Sequence, residues 1–247
     1  MKKLVSLIIC AALLIPFLPA EKASAAENIS KEMQAMIELG VITGYGYGIY
    51  KPNATVTRGE FATFLYRAFN LPEGPHAFTD VNKSSSLAKG INAAAKAGIV
   101  KGTSTTTFSP GQLISREQMS IMISRTLDYK GAAKKSAALK FLDKHKIGAS
   151  AVSSVQRMVG HGIISGYKSG SGYVFKPQET ATRNTTAAYL YRTFGELGMA
   201  VPKPPAQTYT LSEYEKQVIT LTNKERTARG LKALSTDTAL SKVARIK

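Results

Sequence analysis

A short segment occurs three times in this chain, and no other sequence feature constrains the fold as strongly. Each copy has a hydroxyl residue, an arginine directly after it, and then the apolar start of a helix. The copies occupy residues 55–61, 113–119 and 181–186. Their arginines, Arg58, Arg116 and Arg183, are 58 and 67 residues apart. Such a period indicates tandem copies of one supersecondary unit that bury their apolar faces against each other.

The rest of each copy follows the same register. A glycine followed by two β-branched residues precedes each arginine, at 40–42, 98–100 and 162–164. Three prolines, Pro52, Pro110 and Pro177, have the same spacing as the arginines. The third copy carries three extra residues in the loop at 168–172. Each copy is therefore predicted to be a helix, a loop and a second helix.

The first helix of each copy has start and stop signals. In copy one, Ser30 is a predicted N-cap and Gly40 a predicted C-terminal stop. Gly98 and Gly162 are the corresponding stops in copies two and three. Apolar residues recur at helical spacing in all three copies: Met33, Met36 and Ile37; Leu87, Ile91, Ala94 and Ala95; Val152, Val155 and Val159.

The second helices are marked by capping boxes. A capping box pairs a hydroxyl residue at the N-cap with a Glu or Gln three residues later. Copy one has Thr57 with Glu60 and copy two has Ser115 with Gln118, whereas copy three has Thr185 where the Glu or Gln would stand. Each second helix has one apolar face, which must be buried. A later arginine of these helices suits the helix dipole and is interpreted as structural: Arg67, Arg125 and Arg192. The predicted fold is all-α, with three helix-loop-helix repeats in a pseudo-threefold bundle.

The two ends of the chain differ from the repeats. Residues 1–25 have the charged start, apolar stretch and small-residue cleavage site of a secretory signal peptide. Its Cys10 is the chain's single cysteine, so no disulfide framework is expected. Residues 199–210 form a proline-rich linker. Residues 211–247 resume helical periodicity, with Gly230 ending one helix and Asp237 as a possible cap for the next.

Charge and composition restrict the partner class. The formal net charge of +17 favours an anionic partner, although lysines also serve solubility alone. Export argues against nucleic acid, and no membrane contact is expected after signal cleavage. No catalytic constellation is present, and His76, His145 and His161 lack metal-ligand spacing. We therefore expect a monomeric binding protein without enzymatic activity, metal or cofactor.

The three repeated arginines are the main candidate site. A cation at the first position of a helix opposes the helix dipole, so its recurrence indicates a function. Arginine binds carboxylate or phosphate through two N–H groups, and a helix N-terminus offers free backbone N–H groups to an anion. The alternative is an internal salt bridge to Asp80, Asp143 or Glu60.

The loop before each proline contributes further candidates. These loops begin with Gly44 and Tyr45 in copy one, with Gly102 in copy two, and with Gly166 and Tyr167 in copy three. Glycine at these positions permits either a tight backbone turn or the close approach of a ligand.

These repeats resemble S-layer homology domains. The resemblance is carried by residues 78–81 (Phe-Thr-Asp-Val), by the Gly-Ile-Val-x-Gly turn, and by Thr-Arg-Gly-Glu at 57–60, where the family has Thr-Arg-Ala-Glu. It covers roughly residues 27–196. The corresponding repeats are assigned to 26–72, 73–134 and 135–198.

The resemblance implies a three-pronged pseudo-trimer with grooves between its prongs. It also implies non-covalent binding of a secondary cell-wall polymer that is attached to peptidoglycan and often carries pyruvate ketals. The family's arginine maps onto Arg58, Arg116 and Arg183, and its motif aspartate onto Asp80 and Asp143. Because copy three has Asn-Thr at 184–185 in place of Ala-Glu, we expect the weakest site around Arg183.

The segment 211–247 resembles the first two helices of a CAP (SCP/PR-1-like) domain, here incomplete. The likeness is carried by residues 218–226, 230–234 and 240–245. It implies an alternative function, in which the repeats target a longer CAP-type cell-wall enzyme. A structural surface-layer component is the third hypothesis.

Overall fold

A computed structural model describes residues 29–46, 48–200 and 213–234, without the side chains of 213–217. The chain divides into two compact units, one of residues 27–208 and one that includes 209–247. The predicted signal peptide and most of the predicted linker lie outside the described residues. Among those that are described, no helix combines the length and apolarity that a membrane span requires.

The predicted pairs of helices are confirmed in the unit of residues 27–208. Its described residues form six α-helices: α1 Lys31–Glu38, α2 Arg58–Phe69, α3 Ala88–Lys96, α4 Arg116–Tyr129, α5 Val152–Gly160 and α6 Arg183–Glu196. A short 3-10 helix spans Lys144–Lys146. The protein is helix-rich, as the repeat pattern predicts.

The predicted helix ends are confirmed in detail. Capping boxes begin α2 at Thr57 and α4 at Ser115, with both reciprocal hydrogen bonds present. At the start of α6, the Thr182 side chain accepts the backbone N–H of Thr185, and the two threonine hydroxyls lie 3.0 Å apart, but no side chain of the described residues binds the N–H of Thr182 as in a capping box. Ser30 caps α1, and Gly40 after it has a positive φ of 67°. Local sequence therefore determines where these helices begin and end.

A small β-hairpin in the third loop was not predicted. Strand β1 (Tyr167–Ser169) pairs antiparallel with β2 (Gly172–Val174), and Ser169 lies opposite Gly172. The intervening turn begins at Gly170, whose φ is +56°. A glycine at the first position of a two-residue turn suits a hairpin. The three extra residues of copy three are thus part of a hairpin, but strands of three residues are too short to show an alternating pattern.

Helices pack across repeat boundaries. α2 packs on α3, α4 on α5, and α6 of the third repeat on α1 of the first. At the α2–α3 interface, a Cβ added to Gly90 would lie 2.6 Å from the backbone α-carbon of Thr63. The glycine inside α3 is therefore explained by the close approach of the two helices.

The segments before α2, α4 and α6 meet in a closed ring of backbone hydrogen bonds. Val56 N donates to Ala181 O (2.9 Å), Ala181 N to Ile114 O (3.0 Å), and Ile114 N to Val56 O (2.9 Å). All three residues are buried. Equivalent positions of the three repeats thus contact one another at the centre of the unit.

The second unit contains α7 (Glu213–Ala228), and Gly230 after it has a φ of +71°, as predicted. The Asn223 side chain accepts from Leu234 N (2.8 Å) and donates to Leu234 O (3.0 Å), which holds the following segment against the helix. Val218 and Leu221 are exposed. The helix predicted after Asp237 lies outside the described residues.

Candidate functional site

Each of the three repeated arginines begins a helix and is buried. Arg58, Arg116 and Arg183 are 6 %, 3 % and 3 % exposed. Arg58 Nε donates to Phe108 O (3.1 Å), and its Nη2 donates to Lys101 O (3.2 Å). Both carbonyls belong to the second repeat, so this arginine of the first repeat ties the two repeats together.

The other two arginines make equivalent ties. Arg116 Nε donates to Phe175 O (2.8 Å) and its Nη1 to Tyr167 Oη (2.7 Å), in the third repeat. Arg183 Nε donates to Tyr50 O (2.7 Å) and its Nη2 to Thr43 O (2.6 Å), in the first repeat. The ties therefore run from repeat one to two, two to three, and three to one.

The expectation of free backbone N–H groups at these helix starts is wrong. In α2, Arg58 N donates to Gln112 O (2.8 Å) and Gly59 N to Pro110 O (3.0 Å). The first two N–H groups of α4 and α6 likewise donate to carbonyls of a neighbouring repeat. The capping residues use a third N–H group in each helix. Any anion at these sites must therefore be bound by side chains.

The internal salt bridges that were the alternative are likewise not found among the described residues. No described ion pair joins these arginines to Asp80, Asp143 or Glu60; backbone carbonyls or a phenol occupy two nitrogens of each guanidinium. Burial and the charge of Arg125 lower the pKa of Arg58, opposed by the carboxylate of Asp80. An arginine nonetheless remains charged in proteins. Each guanidinium therefore brings a positive charge to the site without a carboxylate bound to it.

The two aspartates hold the ends of the loops. Asp80 accepts from Phe108 N (2.8 Å) and Ser109 N (2.7 Å), and Asp143 accepts from Phe175 N (2.8 Å) and Lys176 N (2.7 Å). Burial would raise the pKa of Asp80, but these backbone N–H groups outweigh it and hold that pKa below its usual value. The carbonyls of Phe108 and Phe175, which accept from Nε of Arg58 and Arg116, belong to these same segments.

The three loop glycines are required by close backbone packing. A Cβ added to Gly44 would lie 2.8 Å from Ile49 O, and one at Gly102 would lie 2.3 Å from Ser104 O. At Gly166 the φ is +74° and the added Cβ would lie 2.6 Å from Phe141 Cε1. Of the two interpretations that the sequence allows, the tight turn explains these glycines.

Partly exposed aromatic rings lie against two of the guanidiniums. The Arg183 guanidinium lies 5.1 Å from the ring centroid of Tyr45, which is 52 % exposed. The Arg116 guanidinium lies 4.6 Å from that of Tyr167, which is 42 % exposed. In the second repeat Thr103 follows the loop glycine, so Arg58 has no tyrosine from this position.

A groove of about 260 Å³ opens at Arg116, and we call it the Arg116 groove. It brings together Arg116, Gly166 and Tyr167, three of the residues proposed from the sequence. Its lining also includes eight residues that were not proposed as binding residues, among them Glu32, Asn184, Tyr189 and Arg192. Asp80 lies in a different cavity, of about 490 Å³, whose lining does not include Arg58.

A recurring arginine could have identified one of these additional residues. Arg192 Nη1 donates to Ile163 O (2.9 Å), and Arg67 and Arg125 make the corresponding, longer bonds within their own repeats. The structural interpretation thus accounts for one nitrogen of Arg192. Its guanidinium still lines the Arg116 groove, where its charge adds to that of Arg116.

The histidines contribute no metal site in the described part of the chain, where no three His, Cys, Asp or Glu residues form a group suited to a metal ion. His161 is buried, with Nδ1 3.0 Å from Glu196 Oε1.

Comparison with known proteins identifies the family. The model of the S-layer homology domain matches residues 22–62, 77–120 and 140–187, which together exceed half of the chain. The chain belongs to the S-layer homology domain family. The number of matches equals the number of predicted repeats.

Individual relatives are cell-surface proteins and an enzyme. The chain is 33 % identical over 150 residues to the Middle cell wall protein of Brevibacillus brevis, covering 54 % of this chain and 14 % of that protein. It is 27 % identical over 224 residues to the Surface-layer 125 kDa protein of Lysinibacillus sphaericus (85 % and 19 %). It is 31 % identical over 170 residues to Exoglucanase XynX of Acetivibrio thermocellus (67 % and 15 %).

The chain thus aligns with less than a fifth of each of these relatives. Its family and its surface-layer relatives place it among secreted proteins of the cell wall or surface layer. They also support a role in surface anchoring at the cell wall.

Proposed function

We propose that the protein anchors non-covalently to the cell surface by binding an anionic, pyruvylated secondary cell-wall polymer that is attached to peptidoglycan. The observation that carries this proposal is the set of three buried guanidiniums that bind backbone carbonyls or a phenol and no carboxylate of the described residues. A carboxylate of the polymer supplies the missing counter-charge at Arg58, Arg116 and Arg183.

The Arg116 groove supports this chemistry most directly. Nη2 of Arg116 is used by no described hydrogen bond, and Arg192 adds a second positive charge to the groove, whose lining has one carboxylate, that of Glu32. The exposed ring of Tyr167 offers an apolar face on which a sugar ring can stack. A pyruvate ketal combines a sugar with a carboxylate, so it satisfies both features of the groove.

The other proposed site residues act through the loops. Asp80 and Asp143 fix the peptides whose carbonyls bind the arginines, and their own charge would repel an anionic polymer. Gly44, Gly102 and Gly166 permit the turns that place the loops over the arginines. Tyr45 takes the place of Tyr167 beside Arg183.

A pseudo-threefold arrangement of the repeats is part of the proposal, with one site at each junction. The cyclic backbone ring and the cyclic arginine ties support it. Because these contacts form within one chain, we propose that the protein binds the polymer as a monomer. The repeats would then have the bounds 26–72, 73–134 and 135–198.

Sedimentation with cell-wall sacculi tests this function. We expect the chain to sediment with intact sacculi and to stay in solution when hydrofluoric acid has stripped their polymer. Arg116→Ala should weaken sedimentation, whereas Arg229→Ala, which removes the same charge from the exposed end of α7, should not. Undiminished binding to stripped sacculi would contradict the proposal.

A second candidate concerns residues 211–247. We propose that they begin a CAP-like domain, so that the repeats could target a cell-wall enzyme. Val218 and Leu221 of α7 are 44 % and 63 % exposed, and an apolar face of this kind normally packs against further structure. Sequencing the reading frame beyond codon 247 tests this idea: a stop codon directly after it contradicts it, and CAP-like sequence supports it.

A further inference from the structure

Tyr189 is buried beside the Arg116 groove with an unsatisfied hydroxyl. The residue is 4 % exposed, lines the groove, and its Oη has no hydrogen-bond partner among the described residues. Buried polar side-chain atoms, including tyrosine hydroxyls, nearly always have a partner. The exception at Tyr189 therefore needs an explanation.

The fold itself does not require this hydroxyl. The equivalent residues of the other repeats are Phe64 and Met122, which are 4 % and 3 % exposed and have no polar atom that needs a partner. The three side chains occupy the same register of α2, α4 and α6. The hydroxyl is therefore a feature of the Arg116 groove alone.

The surroundings of Tyr189 leave its hydroxyl protonated and next to the candidate anion site. Burial raises the pKa of Tyr189 well above its usual value. The charges of Arg116 and Arg192 oppose this only in part, as does a contact of the Arg116 side chain with the hydroxyl that does not have hydrogen-bond geometry. The Arg116 guanidinium lies over the ring, 5.4 Å from its centroid. A neutral phenol at this position can donate one hydrogen bond.

We propose that Tyr189 is a ligand-binding, specificity-determining residue of the Arg116 groove, and that its Oη donates a hydrogen bond to an oxygen of a carboxylated saccharide. This inference rests on the function proposed above. The carboxylate lies against Arg116, and movement of the guanidinium toward it opens the hydroxyl to the ligand. The groove of about 260 Å³ is smaller than sites for drug-sized ligands, roughly 300 to 1,000 Å³, and so fits a single sugar unit.

The test is Tyr189→Phe, which installs the residue that the first repeat has at this position. Affinity is measured by calorimetry on the full chain, with a methyl glycoside that carries a pyruvate ketal. We expect affinity to fall about tenfold, the effect of one hydrogen bond to a ligand. The melting temperature of the free protein should not fall, since the variant removes an unsatisfied buried hydroxyl. Tyr191→Phe in the same helix is the matched control and should leave affinity unchanged.

Arg116→Ala in the same assay separates this inference from the proposed function. If Arg116→Ala abolishes binding and Tyr189→Phe does not weaken it, the role of Tyr189 is overturned and the function stands. If neither change affects binding, both are overturned. A lower melting temperature together with weaker binding in Tyr189→Phe would assign the residue to packing and likewise overturn the inference.

Discussion

The sites at Arg116 and Arg58 share a backbone frame and differ in the side chains around it. In both, Nε donates to the carbonyl of a loop phenylalanine, Phe175 or Phe108. Around Arg116 the loop and helix add two tyrosines, whereas the equivalent positions around Arg58 are Thr103 and Met122. The hydrogen bonds from the arginine to the next repeat are therefore common to the repeats, while the residues that could contact a ligand vary from one junction to the next.

This comparison changes the expected order of the sites. The sequence predicted the weakest site around Arg183, because the third repeat lacks the full capping box. Yet Arg183 lies 5.1 Å from the ring centroid of Tyr45 and 5.7 Å from that of Phe64. We therefore predict that binding decreases from Arg116 to Arg183 to Arg58, whereas the sequence prediction places Arg183 last; sedimentation of the three single alanine variants with sacculi distinguishes the two orders.

The largest expected effect comes from removing the two arginines singly. Arg58→Ala and Arg116→Ala should each destabilise the protein by about 2–3 kcal/mol, because each leaves the buried carbonyl of a loop phenylalanine without its charged donor. Thermal or urea unfolding measures this loss. Only Arg116→Ala should also strongly reduce binding to sacculi under conditions where both variants are folded. Equal binding losses in the two variants would remove the distinction between the sites.

Exchanging the loop residues Tyr167 and Thr103 should change the binding strengths of the Arg116 and Arg58 sites in opposite directions. Tyr167→Thr should weaken the Arg116 site and Thr103→Tyr should strengthen the Arg58 site, each by about 0.5–2 kcal/mol, the usual range for an arginine–aromatic contact. Titration with the ketal glycoside measures both. The proposed difference between the two sites is contradicted if both Thr103→Tyr and Tyr167→Thr bind the glycoside with the same affinity as the unmodified chain.

A smaller effect is expected from Asp80 and from pH. Asp80→Asn should cost about 1 kcal/mol, since one of two acceptor oxygens for the loop is lost. Because the folded-state pKa of Asp80 is lowered, its carboxylate contributes stability above the unfolded pKa, about 4, and loses it as the pH falls through the folded pKa. As the pH is lowered from 6 to 2, the urea midpoint of Asp80→Asn should therefore fall less steeply than that of the unmodified chain. An unchanged slope would contradict this account.

The parts of the fold that were predictable from sequence depend on neighbouring residues. The caps at Thr57 and Ser115 follow from residues three positions apart, and the stop at Gly40 from one left-handed residue. The hairpin was missed because its strands have only three residues each.

The contacts of the candidate site could not be predicted in the same way. The arginines were identified by recurrence, but the carbonyls bound by Arg183 are 133 and 140 residues away in sequence. Tyr189 was hidden in the apolar stripe of its helix, where an aromatic side chain is expected to pack in the core. Recurrence therefore located the site, whereas its composition depends on how the repeats are joined.

A crystal structure of the full chain with the ketal glycoside would locate the bound carboxylate. We predict that this carboxylate lies within hydrogen-bond distance of Arg116 Nη2, with the sugar ring against Tyr167. A saccharide bound away from all three arginines, with their guanidiniums keeping only the contacts within the protein, would contradict the proposed function.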